Sequence, residues 1–159
     1  MVLWDEVVAG VAKGFPKVEL KKYHVDALCA RMITHPHTLD VIVASNLFGD
    51  ILTDIGSAIS GSLGVAPGGN INPDRTTPSM FEPIHGSAPD IAGKGIANPI
   101  AAIWAGAMML DHLGERAAHD RILGAIERVI GDERVKTPDL GGKATTGDMT
   151  RAVAAALAA

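Results

Sequence analysis

The sequence predicts an α/β fold. Three observations carry this: helical and extended apolar patterns alternate over the first 60 residues, two Gly- and Pro-containing loops interrupt the middle of the chain, and the remainder returns to helical periodicity. Trp4, Val7, Val8 and Val11 recur at helical spacing until Gly14 and Pro16 break the pattern, which predicts an amphipathic helix over residues 2–14. Residues 18–23 then suit a short strand, and a second helix covers 25–34, ended by the region of Pro36. The run Leu-Asp-Val-Ile-Val-Ala at 39–44 has the apolar character of a buried strand, completing an α-β-α-β order. Helical spacing returns over 46–60, with Leu47, Ile51, Ile55 and Ile59 on one face and Asn46 as the cap. Residues 61–79, dense in Gly, Pro and Asn, read as mostly irregular backbone and mark the boundary between two regions, 1–60 and 61–159. A short strand at 79–83 leads into a second loop at 85–98, followed by helices near 98–113 and 115–131 and a final helix at 147–158. The Ala-rich end, 152–159, belongs to that amphipathic helix and not to a low-complexity tail.

Composition narrows the function. A chain of 159 residues with 47% hydrophobic and 20% charged residues can fill a core. The net charge of −4 arises from 18 acidic and 14 basic residues without a basic run, so a nucleic-acid partner is not expected. Apolar stretches fall short of the roughly 20 residues of a bilayer span, and the opening residues lack the basic start of a signal peptide. A soluble, cytoplasmic protein without a membrane partner is the expectation. The single Cys29 rules out an internal disulfide and reads as a small buried apolar residue in a helix. Six histidines without Cys/His spacing argue against a zinc site, and His24 is expected to be structural.

Two features carry chemistry. Asp50 and Asp54 stand one helical turn apart, so both carboxylates leave the same face and repel unless a cation intervenes. Asp50, in the first turn, is eased by the helix dipole; Asp54 gains less. Oxygen ligands of this kind suit Mg²⁺ or Mn²⁺, while a solvated helix face is the simpler alternative. Asp26 stands at the start of its helix, as a cap or as a third carboxylate. The second feature is the segment His85-Gly86-Ser87-Ala88-Pro89-Asp90-Ile91, continuing to Asn98, whose glycines let backbone N–H groups approach an anion. Asp90 can accept hydrogen bonds from a ribose diol and would repel a 2′-phosphate, which favours NAD over NADP. The Gly-x-Gly-x-x-Gly fingerprint is missing, so the ordinary dinucleotide-binding fold is not indicated, and a structural Ω-loop is the alternative.

Taken together, residues 23–27 (Tyr-His-Val-Asp-Ala), 46–54 (Asn-Leu-Phe-Gly-Asp-Ile-Leu-Thr-Asp) and 81–99 (from Phe81-Glu82-Pro83 to Ala97-Asn98-Pro99) closely resemble the β-decarboxylating dehydrogenases of the isocitrate/isopropylmalate dehydrogenase family. The likeness extends through Met108-Met109-Leu110 and residues 137–142. Residues 79–83 and 100–104 look most like the tartrate/D-malate branch. The resemblance implies the C-terminal half of an isopropylmalate-dehydrogenase-like two-domain α/β fold, with 1–60 part of the metal and dimerisation domain and 61–159 part of the cofactor domain. It implies that Asp50 and Asp54 hold Mg²⁺ or Mn²⁺ while Asp26 reaches in from the other subunit of a homodimer. It further implies that His85, Gly86, Ser87, Ala88, Pro89, Asp90, Ile91 and Asn98 bind NAD, with Asp90 on the adenosine ribose, Asn98 on the adenine and Glu82 near the nicotinamide. The implied reaction is NAD-dependent oxidation and β-decarboxylation of a small 2-hydroxy acid of the D-malate, tartrate or 3-isopropylmalate type.

Family members are about twice as long. The catalytic lysine, the proton-donating tyrosine and the substrate-binding arginines are expected upstream of Met1, so no catalytic residue is expected within this chain and the chain alone is expected to be inactive. Two alternatives differ in class: a non-catalytic remnant retaining dimerisation and weak metal or nucleotide binding, and a metal-dependent hydrolase or lyase using the same aspartates.

Overall fold

Residues 2–159 are described by a computed structural model, in which the chain divides into two compact units, one ending at Ile42 and the other running from Val43 to Ala159. The first unit contains helix α1 (Val2–Ala12), helix α2 (Val25–Thr34) and a 3₁₀ turn at Pro36–Thr38. α2 buries Leu28 and Met32, one turn apart, and stops where Pro36 disfavours the helical conformation of His35. Arg31 reaches across that end, donating from Nε to Thr38 Oγ1 at 3.0 Å and lying 5.5 Å from the Tyr23 ring centroid.

The second unit begins with α3 (Asn46–Ile59) and a 3₁₀ turn at Leu63–Val65. Strands β1 (Pro67–Asn70) and β2 (Met80–Pro83) form an antiparallel pair in which Pro67 faces Pro83 and Asn70 faces Met80. The two prolines occupy the ends of the ladder, where a missing N–H is tolerated. Then follow α4 (Ile100–His112), α5 (Arg116–Asp132), a 3₁₀ turn at Pro138–Leu140 and α6 (Thr146–Ala158). Ile100, Ala125, Ile126, Val129, Met149 and Val153 make the core, one or more from each of the last three helices. The buried small residues Ala101, Ala105 and Ala107 of α4 let neighbouring elements approach closely, and α4 packs on α5 and on both strands. α6 opens with a capping box: Thr145 Oγ1 accepts from the Asp148 N–H at 3.1 Å, and Asp148 Oδ2 accepts from the Thr145 N–H at 2.9 Å.

All six expected helices are present, α1 two residues shorter than predicted. The strands differ. Residues 18–23 form no strand, and neither do 39–44, with Val41 85% exposed and not buried. A strand exists by its hydrogen-bonding partner, and among the described residues only β1 and β2 supply one to each other. Conversely, β1 lies inside the stretch expected to be mostly irregular. The α3 face expected to be buried is largely open: Leu47, Ile51 and Ile59 are exposed, and Leu52 and Ser57 are buried instead. Ser45, not Asn46, precedes the first turn of α3, and Cys29 is only half-buried. Among the described residues no helix is long and apolar enough to cross a membrane.

Candidate functional site

Asp50 is the fifth residue of α3, one position beyond its first turn, so the helix dipole relieves its charge less than the sequence suggested. Asp50 and Asp54 are both exposed, and neither side chain has a hydrogen-bond or ion-pair partner among the described residues. Between them, Thr53 Oγ1 donates to the Asp50 backbone carbonyl at 2.9 Å. Asp26 is exposed in the first turn of α2, in the other compact unit. His24 is the N-cap residue there, and Asp26 Oδ1 accepts only the adjacent Ala27 N–H, at 2.9 Å. Among the described residues no group of three or more His, Cys, Asp or Glu side chains is placed to hold a metal ion.

The second set of residues falls in one continuous segment between β2 and α4. Glu82 lies on β2 opposite Gly68, exposed. His85 follows, half-buried, with Nδ1 at 2.9 Å from the Gly86 carbonyl. A carbonyl only accepts, so Nδ1 carries a proton and Nε2 is left without a partner among the described residues. Ser87, Pro89 and Asp90 are exposed, while Ala88 and Ile91 are half-buried. Ala88 has φ +43°, a left-handed conformation that a non-glycine residue keeps only under local constraint. The constraint includes a turn in which the Ile91 N–H donates to the Ala88 carbonyl at 3.1 Å. At Gly86, Gly93 and Gly95 a Cβ atom would meet nothing within 4 Å, so the backbone there is open to an approaching ligand. The far end of the loop is tied to α6 by Thr146, whose N–H donates to the Gly95 carbonyl at 2.8 Å and whose hydroxyl donates to the Ala97 carbonyl at 2.6 Å.

Asn98 is different in kind, being only 7% exposed. Its Oδ1 accepts the Ile100 N–H at 3.0 Å, satisfying one of the orphan donors at the start of α4, and its Nδ2 donates to Asp139 Oδ2 at 3.0 Å. The same Asp139 oxygen accepts from Ser62 Oγ at 2.5 Å, and Ser62 Oγ in turn accepts the Gly64 N–H at 2.8 Å. Partial burial would raise the Asp139 pKa, but hydrogen bonding from Ser62 and Asn98 outweighs it and holds the carboxyl below its ordinary value. Thr137 is fully buried close by, and its Oγ1 has no hydrogen-bond partner among the described residues.

Ser62, Gly64 and Asp139 were not singled out from sequence. Residues 137–142 belong to the family likeness, which drew attention to the stretch without giving Asp139 a role.

The isocitrate/isopropylmalate dehydrogenase family matches residues 1–153. The chain belongs to this family. D-malate dehydrogenase (decarboxylating) of Escherichia coli strain K12 is 56% identical over 158 residues, covering 96% of this chain and 44% of the relative. Tartrate dehydrogenase/decarboxylase of Pseudomonas putida is 52% identical over 164 residues, covering 99% of this chain and 45% of the relative. The crystal structure of isocitrate dehydrogenase from Methylococcus capsulatus superposes with a TM-score of 0.92 at 45% identity, covering 98% of this chain and 45% of that one. The chain therefore spans about half the length of the curated relatives it matches, and its fold is half of the isocitrate/isopropylmalate dehydrogenase-like α/β fold expected from the sequence.

Proposed function

We propose that this chain is the metal- and cofactor-binding part of an NAD-dependent, decarboxylating dehydrogenase acting on a small 2-hydroxy acid of the D-malate, tartrate or 3-isopropylmalate type. The observation that carries the proposal is the β2–α4 loop: one continuous segment presenting an exposed, unpaired Asp90 beside glycine backbone with no atoms in front of it. Such a loop suits a ligand with an anionic linker and a diol. Asp90 accepts hydrogen bonds from the ribose hydroxyls and repels a 2′-phosphate, His85 presents Nε2 to the ligand, and Gly86, Ser87, Ala88, Pro89, Ile91 and Asn98 shape the remaining contact, with Glu82 toward the nicotinamide end.

The carboxylates fit a hard divalent cation by their chemistry, because Asp50 and Asp54 are anionic oxygen donors on one helix face without an internal counter-charge. Asp26 would complete that donor set from the second subunit of a homodimer. In this reading residues 1–60 serve the metal and dimerisation, residues 61–159 serve the cofactor, and the protein works in the cytoplasm. NAD supplies hydride acceptance, and Mg²⁺ or Mn²⁺ supplies Lewis-acid polarisation of the substrate oxygens. The proton-transferring lysine and tyrosine and the substrate arginines are not assigned within this chain.

Calorimetric titration with Mn²⁺ tests the metal half of the proposal. Asp50→Asn and Asp54→Asn should each weaken binding, since each removes one anionic ligand; unchanged affinity in both variants would sink the assignment. NADH formation with D-malate, tartrate, isopropylmalate and isocitrate, assayed on the longer protein, selects the substrate. No turnover with any of the four would refute the substrate class.

A further inference from the structure

We infer that Asp139 is a positioning residue for the cofactor loop: clamped by Ser62, its carboxylate fixes which way the Asn98 side-chain amide faces at the start of α4. The inference rests on the nucleotide reading of the loop and adds a residue that the loop itself does not contain.

A primary amide can turn end for end with almost no change of shape, so only its partners decide where its donor and acceptor point. Asn98 has two partners of opposite kind. Its Oδ1 takes a backbone donor, the Ile100 N–H, and its Nδ2 meets Asp139 Oδ2, an ionised acceptor. Reversal would set oxygen against oxygen at Asp139 and N–H against N–H at Ile100, making both contacts repulsive. One orientation survives, and it leaves the second Nδ2 hydrogen and the second Oδ1 lone pair for a ligand.

Asp139 can enforce this because it is itself held. Ser62 donates to the same carboxylate oxygen, and the Ser62 hydroxyl oxygen is occupied by the Gly64 N–H. The backbone of Gly64 presses so closely on the pair that an added Cβ would stand 2.8 Å from both Asn98 Cβ and Asp139 Oδ2. The carboxylate therefore has no room to swing toward Gly64. Three stretches distant in sequence, at 62–64, 98–100 and 137–139, close on one amide.

The test uses the 159-residue chain, NAD⁺ affinity by calorimetry, chemical unfolding, and the ¹⁵N side-chain signals of Asn98. In the unaltered chain the two Asn98 amide protons should be well resolved and slow to exchange. In D139N the signals should move toward free-amide positions, and NAD⁺ affinity should fall about tenfold, the worth of one positioned hydrogen bond. The double variant N98D/D139N separates positioning from plain structural support. It rebuilds a carboxylate–amide pair with the roles exchanged: the carboxylate at 98 still accepts the Ile100 N–H, and the amide at 139 donates one hydrogen to it and the other to Ser62 Oγ, so stability should recover while NAD⁺ affinity stays low, because position 98 no longer has a donor. Recovery of both would show that the pair only supports the fold and would overturn the inference. Unchanged Asn98 signals and unchanged affinity in D139N would overturn it as well. If the unaltered chain binds no NAD⁺ while Asn98 still responds to D139N, the nucleotide reading and the ligand role of Asn98 both fail, and only the Asp139–Asn98 geometry is upheld.

Discussion

Gly64 offers a direct measure of how tightly the segments 62–64, 98–100 and 137–139 are packed. Its φ is not in the left-handed region, so backbone conformation alone would tolerate alanine; space would not. A Cβ at position 64 would lie 2.8 Å from Asn98 Cβ, 2.8 Å from Asp139 Oδ2 and 3.2 Å from Ser62 Oγ. None of these is the free end of a flexible side chain: Asn98 Cβ moves only with the start of α4, and the other two atoms are hydrogen-bonded to each other. Overpacking of this kind costs about 1–3 kcal/mol, and prising Ser62 from a charged acceptor adds about 1–3 kcal/mol. Gly64→Ala should therefore destabilise the chain by about 2–6 kcal/mol, a large part of the roughly 5–15 kcal/mol by which native proteins are stable. Gly106→Ala is the matched control. It lies within α4, where a Cβ would meet nothing within 4 Å, and alanine there should stabilise by about 0.5–1 kcal/mol. Urea unfolding of both variants gives the two signs. A loss below about 0.5 kcal/mol for Gly64→Ala, well under the usual cost of overpacking, would show that the three segments are not closed on one another as described.

Two further outcomes follow from the site. If Asp90 faces the ribose, the chain should prefer NAD⁺ to NADP⁺ by roughly five- to tenfold, as expected for a like charge near a 2′-phosphate at the surface, and Asp90→Asn should narrow that gap; equal affinities in the unaltered chain would remove Asp90 from its assigned place. The Asp139 carboxyl is held below its ordinary value of 3.8, so its contribution to stability is complete above that pH and is lost as pH falls through the lower folded value. The difference in unfolding free energy between the unaltered chain and D139N should thus be level above about pH 4 and shrink below it; a difference that grows on acidification would mean the folded pKa is raised.

The helices were legible because each repeats its signal locally. α2 was expected over 25–34 and is found there, its end set by Pro36, and α4 and α5 follow from apolar residues separated by the break at Gly114. Strands carry no such self-sufficient signal. Residues 39–44 have the composition of a strand but no partner among the described residues, whereas Pro-Gly-Gly-Asn in β1 has a poor strand composition and is extended because Met80–Pro83 lies alongside it. The α3 pattern correctly gave a helix and misplaced its buried face, since Leu52 and Ser57 are covered while Leu47 and Ile51 are not.

The site divides the same way. Asp50, Asp54 and the run from His85 to Asn98 are local in sequence, so spacing, residue type and the family resemblance single them out as candidates. Asp139 and Ser62, 77 residues apart, acquire their connection only when the chain closes on itself. No periodicity encodes that meeting.

Backbone amide shift mapping on adding NAD⁺ tests most directly whether the β2–α4 loop receives a dinucleotide. Perturbations should concentrate over residues 82–98, spread to 62–64 and 137–139 through the Asn98 contacts, and be weaker with NADP⁺ at the same concentration. Saturating NAD⁺ that leaves residues 82–98 unmoved, or that shifts only residues elsewhere on the chain, would contradict dinucleotide binding by the loop.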